Sequence, residues 1–129
     1  MRNHEVTKKQ LLLKSDGSLR EPGWSKQLVQ EYRRKDIKAS KLKIKEWDNY
    51  LVLNNDYAAA FTVSDDGYIG LQSVSLLNFK EGWEHTETIL NVLPLGKLHM
   101  PSTSDKGDVE YKDKRLHLKY EKTESTRRI

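Results

Sequence analysis

The chain contains no cysteine among its 129 residues. That absence excludes a disulfide framework, a thiolate metal site and a thiol nucleophile. Nor is there any apolar run close to the roughly 18 residues that a membrane span needs. The one short apolar run near the start, "QLLL", is too brief for the core of a secretory signal. We therefore expect a soluble cytoplasmic protein with no membrane span.

Charge of one sign does not dominate, because 23 Lys and Arg face 19 Asp and Glu, a net charge of +4. Many of the basic residues fall in the stretch 33–45. There Lys41, Lys43 and Lys45 alternate with apolar residues, as on the solvated face of an amphipathic strand. With no recognisable nucleic-acid motif beside it, this pattern predicts a wet protein surface and no nucleic-acid partner.

Glycine, asparagine and aspartate are few but well placed. "NND" at 54–56 and "DDG" at 65–67 are hairpin-turn sequences, since these residue types tolerate the positive φ of tight reversals. They separate runs rich in β-branched and aromatic residues at 47–53, 57–64 and 68–79. The pattern predicts an antiparallel meander.

The β pattern continues beyond these runs. "EHTETILNVL" reads as a fourth strand, and "VEYKD" with "RLHLKYEK" reads as a closing hairpin around Asp113-Lys114. In the last strand Leu116, Leu118 and Tyr120 share one face. The expected fold is mostly β, an antiparallel meander that forms a sheet or partial barrel of six or so strands.

The region before the meander is less regular. Turn signals at Asp16-Gly17 and Pro22-Gly23 predict an irregular arm over 1–24, followed by a β-domain over 25–129. A short helix is expected to begin at Ser25 as N-cap, with Leu28, Val29 and Tyr32 on one face.

The stretch "IKEWDNYLVL" allows two interpretations. In a continuous strand, Glu46 and Asp48 lie on the apolar face with Tyr50, and two adjacent carboxylates would raise the pKa of one of them. With a bulge at Glu46-Trp47-Asp48, the alternation flips and Trp47 points inward. The second interpretation is favoured because burying Trp47 removes the most apolar area from water.

A second candidate set lies in "EHTETIL". His85 and Glu87 share a strand face with Trp83 and Ile89, so the carboxylate could orient the imidazole as a general base. A hydrogen-bonded pair on a half-wet face is the plainer interpretation. The remaining histidines have no acidic or histidine partner at a ligand spacing, so neither a metal nor a cofactor is expected.

The stretches "REPGW", "IKEWDNYLVLNNDYAAAFTVSDDGYIGLQSVSLLNF", "EHTETIL" and "PLGKLHMPSTSDKGDVEYKDKRLHL" carry a resemblance. From about Leu12 to about Arg128 the chain resembles the N-terminal part of an uncharacterised bacterial family known only as a domain of unknown function. That family is similar, more remotely, to the lipocalin-like proteins that include hydroxyneurosporene synthase and AttH-type proteins. Its characteristic positions correspond here to Trp47, Asp48, Gly67, Gly70, Glu84, His85, Thr86 and Gly96.

The resemblance implies two β-barrel-like halves in a longer chain, of which this is the first, and a pocket for an apolar molecule. Three functions follow as hypotheses: a binding module for a lipid or terpenoid, a hydratase- or isomerase-type enzyme, or an interaction domain without a ligand. Self-association or pairing with a missing C-terminal half is the expected protein contact. The candidate ligand-binding residues are Trp47, Tyr50, Phe61 and Trp83. The candidate catalytic residues are Glu46, Asp48, His85 and Glu87.

Overall fold

The computed structural model describes residues 3–129 and shows a mostly β chain in two compact units. One unit comprises the chain up to Ala39 together with Pro101–Gly107, and the other comprises Ser40–Met100 and Asp108–Ile129. The candidate residues from the sequence all belong to the second unit.

The first unit consists mainly of extended backbone and loops. β1 (Gln10–Leu11) pairs in parallel with β2 (Gln30–Glu31), and a single 3-10 turn follows at Arg34–Asp36. The prediction of a helix that begins at Ser25 is therefore wrong. The carbonyl of Val29 accepts the N–H of Gln10 at 2.9 Å, which takes away an acceptor that helical bonding would use. Leu28 is 65% exposed, so there is no buried apolar stripe to stabilise a helix.

The second unit contains the predicted meander. β3 (Glu46–Leu53), β4 (Tyr57–Asp65), β5 (Ile69–Asn78) and β6 (Trp83–Val92) form a four-stranded antiparallel sheet in chain order. The two predicted hairpin turns are confirmed. In the first, Asn54 Oδ1 accepts the N–H of Tyr57 at 2.8 Å.

The prediction of a bulge at Glu46-Trp47-Asp48 is wrong. Pairing runs without an extra residue from Glu46 opposite Asp65 to Leu53 opposite Ala58. Because side chains alternate strictly along an unbulged strand, Trp47 lies on the other face from Asp48 and Tyr50. It is 63% exposed. The strand also begins at Glu46, since Lys43 closes a turn by donating its N–H to Ser40 O at 2.8 Å.

This turn also corrects the interpretation of the lysines at 41 and 43. Residues 41–43 form a turn, so their alternation with apolar residues is not the wet face of a strand.

A second, smaller sheet completes the unit. β7 (Val109–Lys112) and β8 (His117–Lys122) form the predicted hairpin, and β9 (Arg127–Arg128) pairs with the end of β8. Alternate residues of this hairpin enter the core with Val63 of β4. The buried cluster comprises Val63, Val109, Tyr111, Leu118 and Tyr120. Across residues 3–129 the sheets are open and do not close into a barrel.

Candidate functional site

The sheet face that packs on β8 carries a half-buried polar group. Asp48, at one end of this face, is opposite Val63 and lies two residues before Tyr50 on the same strand, so the two side chains share the face. Tyr50 and Tyr120 meet edge to face, with ring centroids 5.0 Å apart. The guanidinium carbon of Arg127, on β9, lies 5.0 Å from the centroid of the Tyr50 ring. A carboxylate, two phenols and a guanidinium are thus gathered beside the core.

Burial governs the titration of these groups. The pKa of Asp48 is raised because burial disfavours the carboxylate, and the positive charge of Arg127 only partly opposes this effect. The pKa of Tyr50 is raised by burial, then by the Asp48 charge. The pKa of Tyr120 is raised by burial and by the same carboxylate. In the described chain the Tyr120 hydroxyl is buried with no hydrogen-bond partner.

The same face continues into an apolar trough. Val52, Ala59 and Leu76 form one cross-strand row, and Tyr57 and Trp83 belong to the next row toward the hairpin ends. A concavity of about 520 Å³ opens here. Its complete lining is Val52, Leu53, Asn54, Tyr57, Ala58, Ala59, Leu76, Leu77 and Trp83.

Only one of those lining side chains, Asn54, carries an amide, and no charged residue takes part. The alanine at position 59 leaves room between larger neighbours. Val52 and Leu76 are both about half exposed or more. The trough is an apolar surface in contact with solvent, of a volume within the range of small-molecule sites.

His85 and Glu87 lie on the same sheet face, at its far edge on β6. His85 Nε2 is 3.0 Å from Glu87 Oε1, and their side chains are 65% and 78% exposed. β6 is three strand spacings from β3, which is roughly 14 Å at about 4.8 Å per strand. The structure therefore separates this pair from Asp48.

The other candidates divide by face. Glu46 lies opposite the buried Asp65 in the register of β3 and β4, at the turn end of the sheet. Phe61 packs against the core. Trp83 lines the trough, whereas Trp47 lies on the opposite face.

Sequence reasoning missed several residues of this face. Tyr120 and Arg127 come from β8 and β9, far along the chain from Asp48, and no local pattern links them to it. Leu76 and Tyr57 also line the trough and are not among the candidates from the sequence. The alternation of Tyr57 and Ala59 on one face of β4 was the available signal, because it marks them as neighbours of Phe61.

A buried carboxylate also escaped notice. Asp65 Oδ1 accepts the N–H of Gly67 at 3.1 Å, and Asp65 Oδ2 accepts the N–H of Gly96 at 2.6 Å. It ties the end of β4 to the loop that follows β6. Its role is structural, since both oxygens are used by backbone donors.

Two kinds of structure are absent from the described residues. Within residues 3–129 no group of three or more His, Asp or Glu side chains is arranged to hold a metal ion. The same residues include no helix with the length and hydropathy of a transmembrane span.

The comparisons with known proteins give one result. No curated protein and no solved structure matches the chain significantly. A family model does match it, over residues 3–129, which is nearly its whole length. The expected resemblance to a domain of unknown function is confirmed, and the chain belongs to the family described as Domain of unknown function (DUF2804).

Proposed function

We propose that this chain is a binding module, similar to lipocalins in its use of a β-sheet face, that holds an apolar small molecule such as a lipid or terpenoid. The observation that carries the proposal is the trough of about 520 Å³ with its nearly all-apolar lining. Small-molecule sites are concave and mostly apolar, with few polar groups that fix orientation. Asn54 at the hairpin end is the one side-chain amide that could orient a ligand.

Exposed apolar side chains supply the driving force. Val52, Tyr57, Leu76 and Trp83 are each between 46% and 61% exposed, which is costly unless the surface is covered for part of the time. A chain or ring of an apolar ligand laid along the row of Ala59 would remove this area from water. At about 25 cal/mol per Å² of apolar surface, such burial favours binding without any ion pair.

A hydratase- or isomerase-type activity has less support. That alternative needs acid and base groups that converge on one substrate. Asp48 lies beside the core, and His85 with Glu87 lies at the opposite edge of the sheet. None of these three residues is among those that line the trough, and no charged residue lines it.

Ligand titration tests the binding proposal. The protein is titrated with a long-chain fatty acid, a retinoid and a polyene, and the fluorescence of its tryptophans is followed, because Trp83 lines the trough. We expect saturable quenching by one of these classes. Ala59→Phe fills the trough and should weaken binding at least tenfold, about 1.4 kcal/mol.

Ala60→Phe is the matched control. Ala60 is the next residue on β4 and lies on the opposite face, opposite Leu51. It should leave the affinity within about twofold of the wild-type value. Equal losses in the two variants, or no saturable binding by any probe, would overturn the proposal.

A further inference from the structure

The outer edge of β6 is an unpaired strand edge. β6 is ten residues long and pairs with β5 on one side. In the described range 3–129 no strand pairs with its other side. A long open edge presents a row of backbone donors and acceptors that another strand can use.

The hydrogen-bond pattern identifies which residues face outward. The N–H of Leu71 donates to Ser64 Oγ at 3.1 Å, so the peptide groups of Leu71 face β4. Leu71 is opposite Leu90, whose own peptide groups must then point away from β5. By alternation, the N–H and C=O groups of Glu84, Thr86 and Thr88 also point away from the sheet.

One end of this edge is already capped. The Arg115 guanidinium donates to the carbonyl of Leu90 at 3.4 Å. Arg115 is itself held by Asp113, whose Oδ2 accepts from Arg115 Nε at 2.9 Å. The available edge is therefore the part of β6 from Trp83 to Ile89.

We infer that this part of β6 pairs with the same part of a second copy of the chain, antiparallel and centred on Thr86. A twofold axis at Thr86 places Glu84 opposite Thr88 of the second copy, and each such outward-facing pair exchanges two backbone hydrogen bonds. The two four-stranded sheets then become one continuous sheet.

The side chains of β6 are complementary to themselves in this register. His85 lies directly opposite Glu87 of the second copy, and Glu87 lies opposite its His85. These are non-hydrogen-bonded positions, where cross-strand side chains approach most closely. Trp83 lies opposite Ile89 on the same face. Each pair occurs twice, as an isologous contact requires.

Other registers lack this complementarity. An axis at Glu84 or Glu87 sets two carboxylates directly opposite each other, which is destabilising. An axis at His85 sets two imidazoles opposite each other. An axis at Thr88 requires the carbonyl of Leu90, which Arg115 already occupies. The Thr86 register is the one that satisfies both the charges and the cap.

This inference gives His85 and Glu87 an interface role and does not depend on the proposed ligand. Loss of ligand binding in the Ala59→Phe variant would leave dimerisation unchanged. Conversely, a dimer-breaking change at Thr88 would leave the trough lining intact, since Thr88 is not part of it.

Proline substitution tests the edge. Thr88→Pro removes an outward N–H that the second copy needs, and bonds of β6 to β5 are retained because prolines are tolerated at such edge positions. Val92→Pro is the matched control on the same edge, beyond the capped residue. By light scattering after size exclusion, we expect a dimer for the wild type and for Val92→Pro. Thr88→Pro should raise the dimer dissociation constant at least tenfold.

Charge exchange gives a second test that does not alter the backbone. His85→Glu alone sets Glu opposite Glu and should weaken the dimer. The double variant His85→Glu, Glu87→His exchanges the two groups and should restore it. Circular dichroism on each variant verifies the fold. Failure of the double variant to recover association would contradict the register.

The natural absence of cysteine allows a direct measurement of register. Thr86→Cys places one thiol beside its symmetry mate and should form an interchain disulfide on mild oxidation. Val92→Cys should not, because its symmetry mate lies far away along the paired strands. A wild-type monomer at the highest soluble concentration, or equal cross-linking of the two cysteine variants, would overturn the proposal.

Discussion

The ring of Tyr120 on β8 meets the ring of Tyr50 on β3 edge to face, with centroids 5.0 Å apart and ring planes at 77°. This contact joins the two sheets of the second unit. It stabilises the fold through the rings, because edge-to-face aromatic pairs are favourable beyond their buried area. The buried Tyr120 hydroxyl, which has no hydrogen-bond partner among residues 3–129, opposes that gain.

Tyr120→Phe separates the two contributions. The substitution keeps the ring contact and removes the unpaired hydroxyl, so we expect the free energy of unfolding to rise by about 1 kcal/mol. Urea denaturation measures it. Tyr111→Phe is the matched control, because the Tyr111 hydroxyl donates to Asp113 Oδ2 at 3.0 Å. Tyr111→Phe should be less stable than the wild type. If Tyr120→Phe also lost stability, the prediction for Tyr120 would be contradicted.

Asp48→Asn should stabilise the protein at neutral pH. Burial raises the pKa of Asp48 in the folded state above the unfolded value of about 3.9. At a pH between the unfolded and the folded pKa, Asp48 is ionised in the unfolded chain and still protonated in the folded protein. The stability of the wild type therefore falls as the pH rises through this window. The asparagine does not ionise.

The measurement is the melting temperature of the wild type and of Asp48→Asn between pH 3 and pH 7. The variant should melt higher at pH 7, its advantage should shrink as the pH falls from the raised folded pKa of Asp48 toward about 3.9, and the advantage should be lost below that pH. A lower melting temperature for the variant at pH 7 would mean that the attraction between Asp48 and Arg127 outweighs burial.

Asp65→Asn should be strongly destabilising. Both carboxylate oxygens accept backbone N–H groups, from Gly67 and Gly96. An amide offers one acceptor oxygen, so one buried donor would face an NH₂ group, at a cost of about 1–3 kcal/mol. Asp66→Asn is the neighbouring control, since its Oδ2 accepts only a 3.2 Å bond from Ser64 Oγ. Chemical denaturation of the two variants should give clearly different midpoints, and equal midpoints would refute the role given to Asp65.

Gly67→Ala and Gly82→Ala form another matched pair. Both glycines have positive φ, 79° and 71°, so alanine is strained at either site. At Gly67 an added Cβ would also lie 2.5 Å from the carbonyl oxygen of Lys41, whereas at Gly82 it meets nothing within 4 Å. Gly82→Ala should cost about 1 kcal/mol and Gly67→Ala clearly more. Thermal melts of the two variants provide the comparison.

Local pattern was sufficient to predict the meander. The turn sequences at 54–56 and 65–67 and the β-rich runs between them determine pairing between neighbours in the chain, and all four strands form where the pattern indicated. The hairpin at Asp113 followed from the same signals. These elements depend on contacts that are close in sequence, which a single chain displays directly.

The wrong predictions concern positions whose structure is determined by contacts with distant parts of the chain. Trp47 was expected inside because it is large and apolar, but the regular register places Asp48 and Tyr50 on the face that β8 covers. The residues after Ser25 have a helical apolar spacing, but the carbonyl of Val29 accepts from Gln10 of β1 instead. Neither the partner strand nor the covering strand is visible in the local sequence.

Only part of the candidate site could be predicted, because it too depends on contacts between distant parts of the chain. The ligand contact expected for Trp83 stays a prediction, and the structure places this side chain in the lining of the trough. Tyr120 and Arg127 could not be found, because their position beside Asp48 depends on how the second sheet packs on the first.

The chain-order pairing of β3 to β6 has a kinetic consequence. Each pairing in the meander closes a short loop, so its entropic cost is low and the four strands can form early. The β7–β8 hairpin can also form locally, but its docking on β4 closes a much longer loop. The contacts of Tyr120 therefore belong to the late part of assembly, and changes there should alter the unfolding rate more than the folding rate.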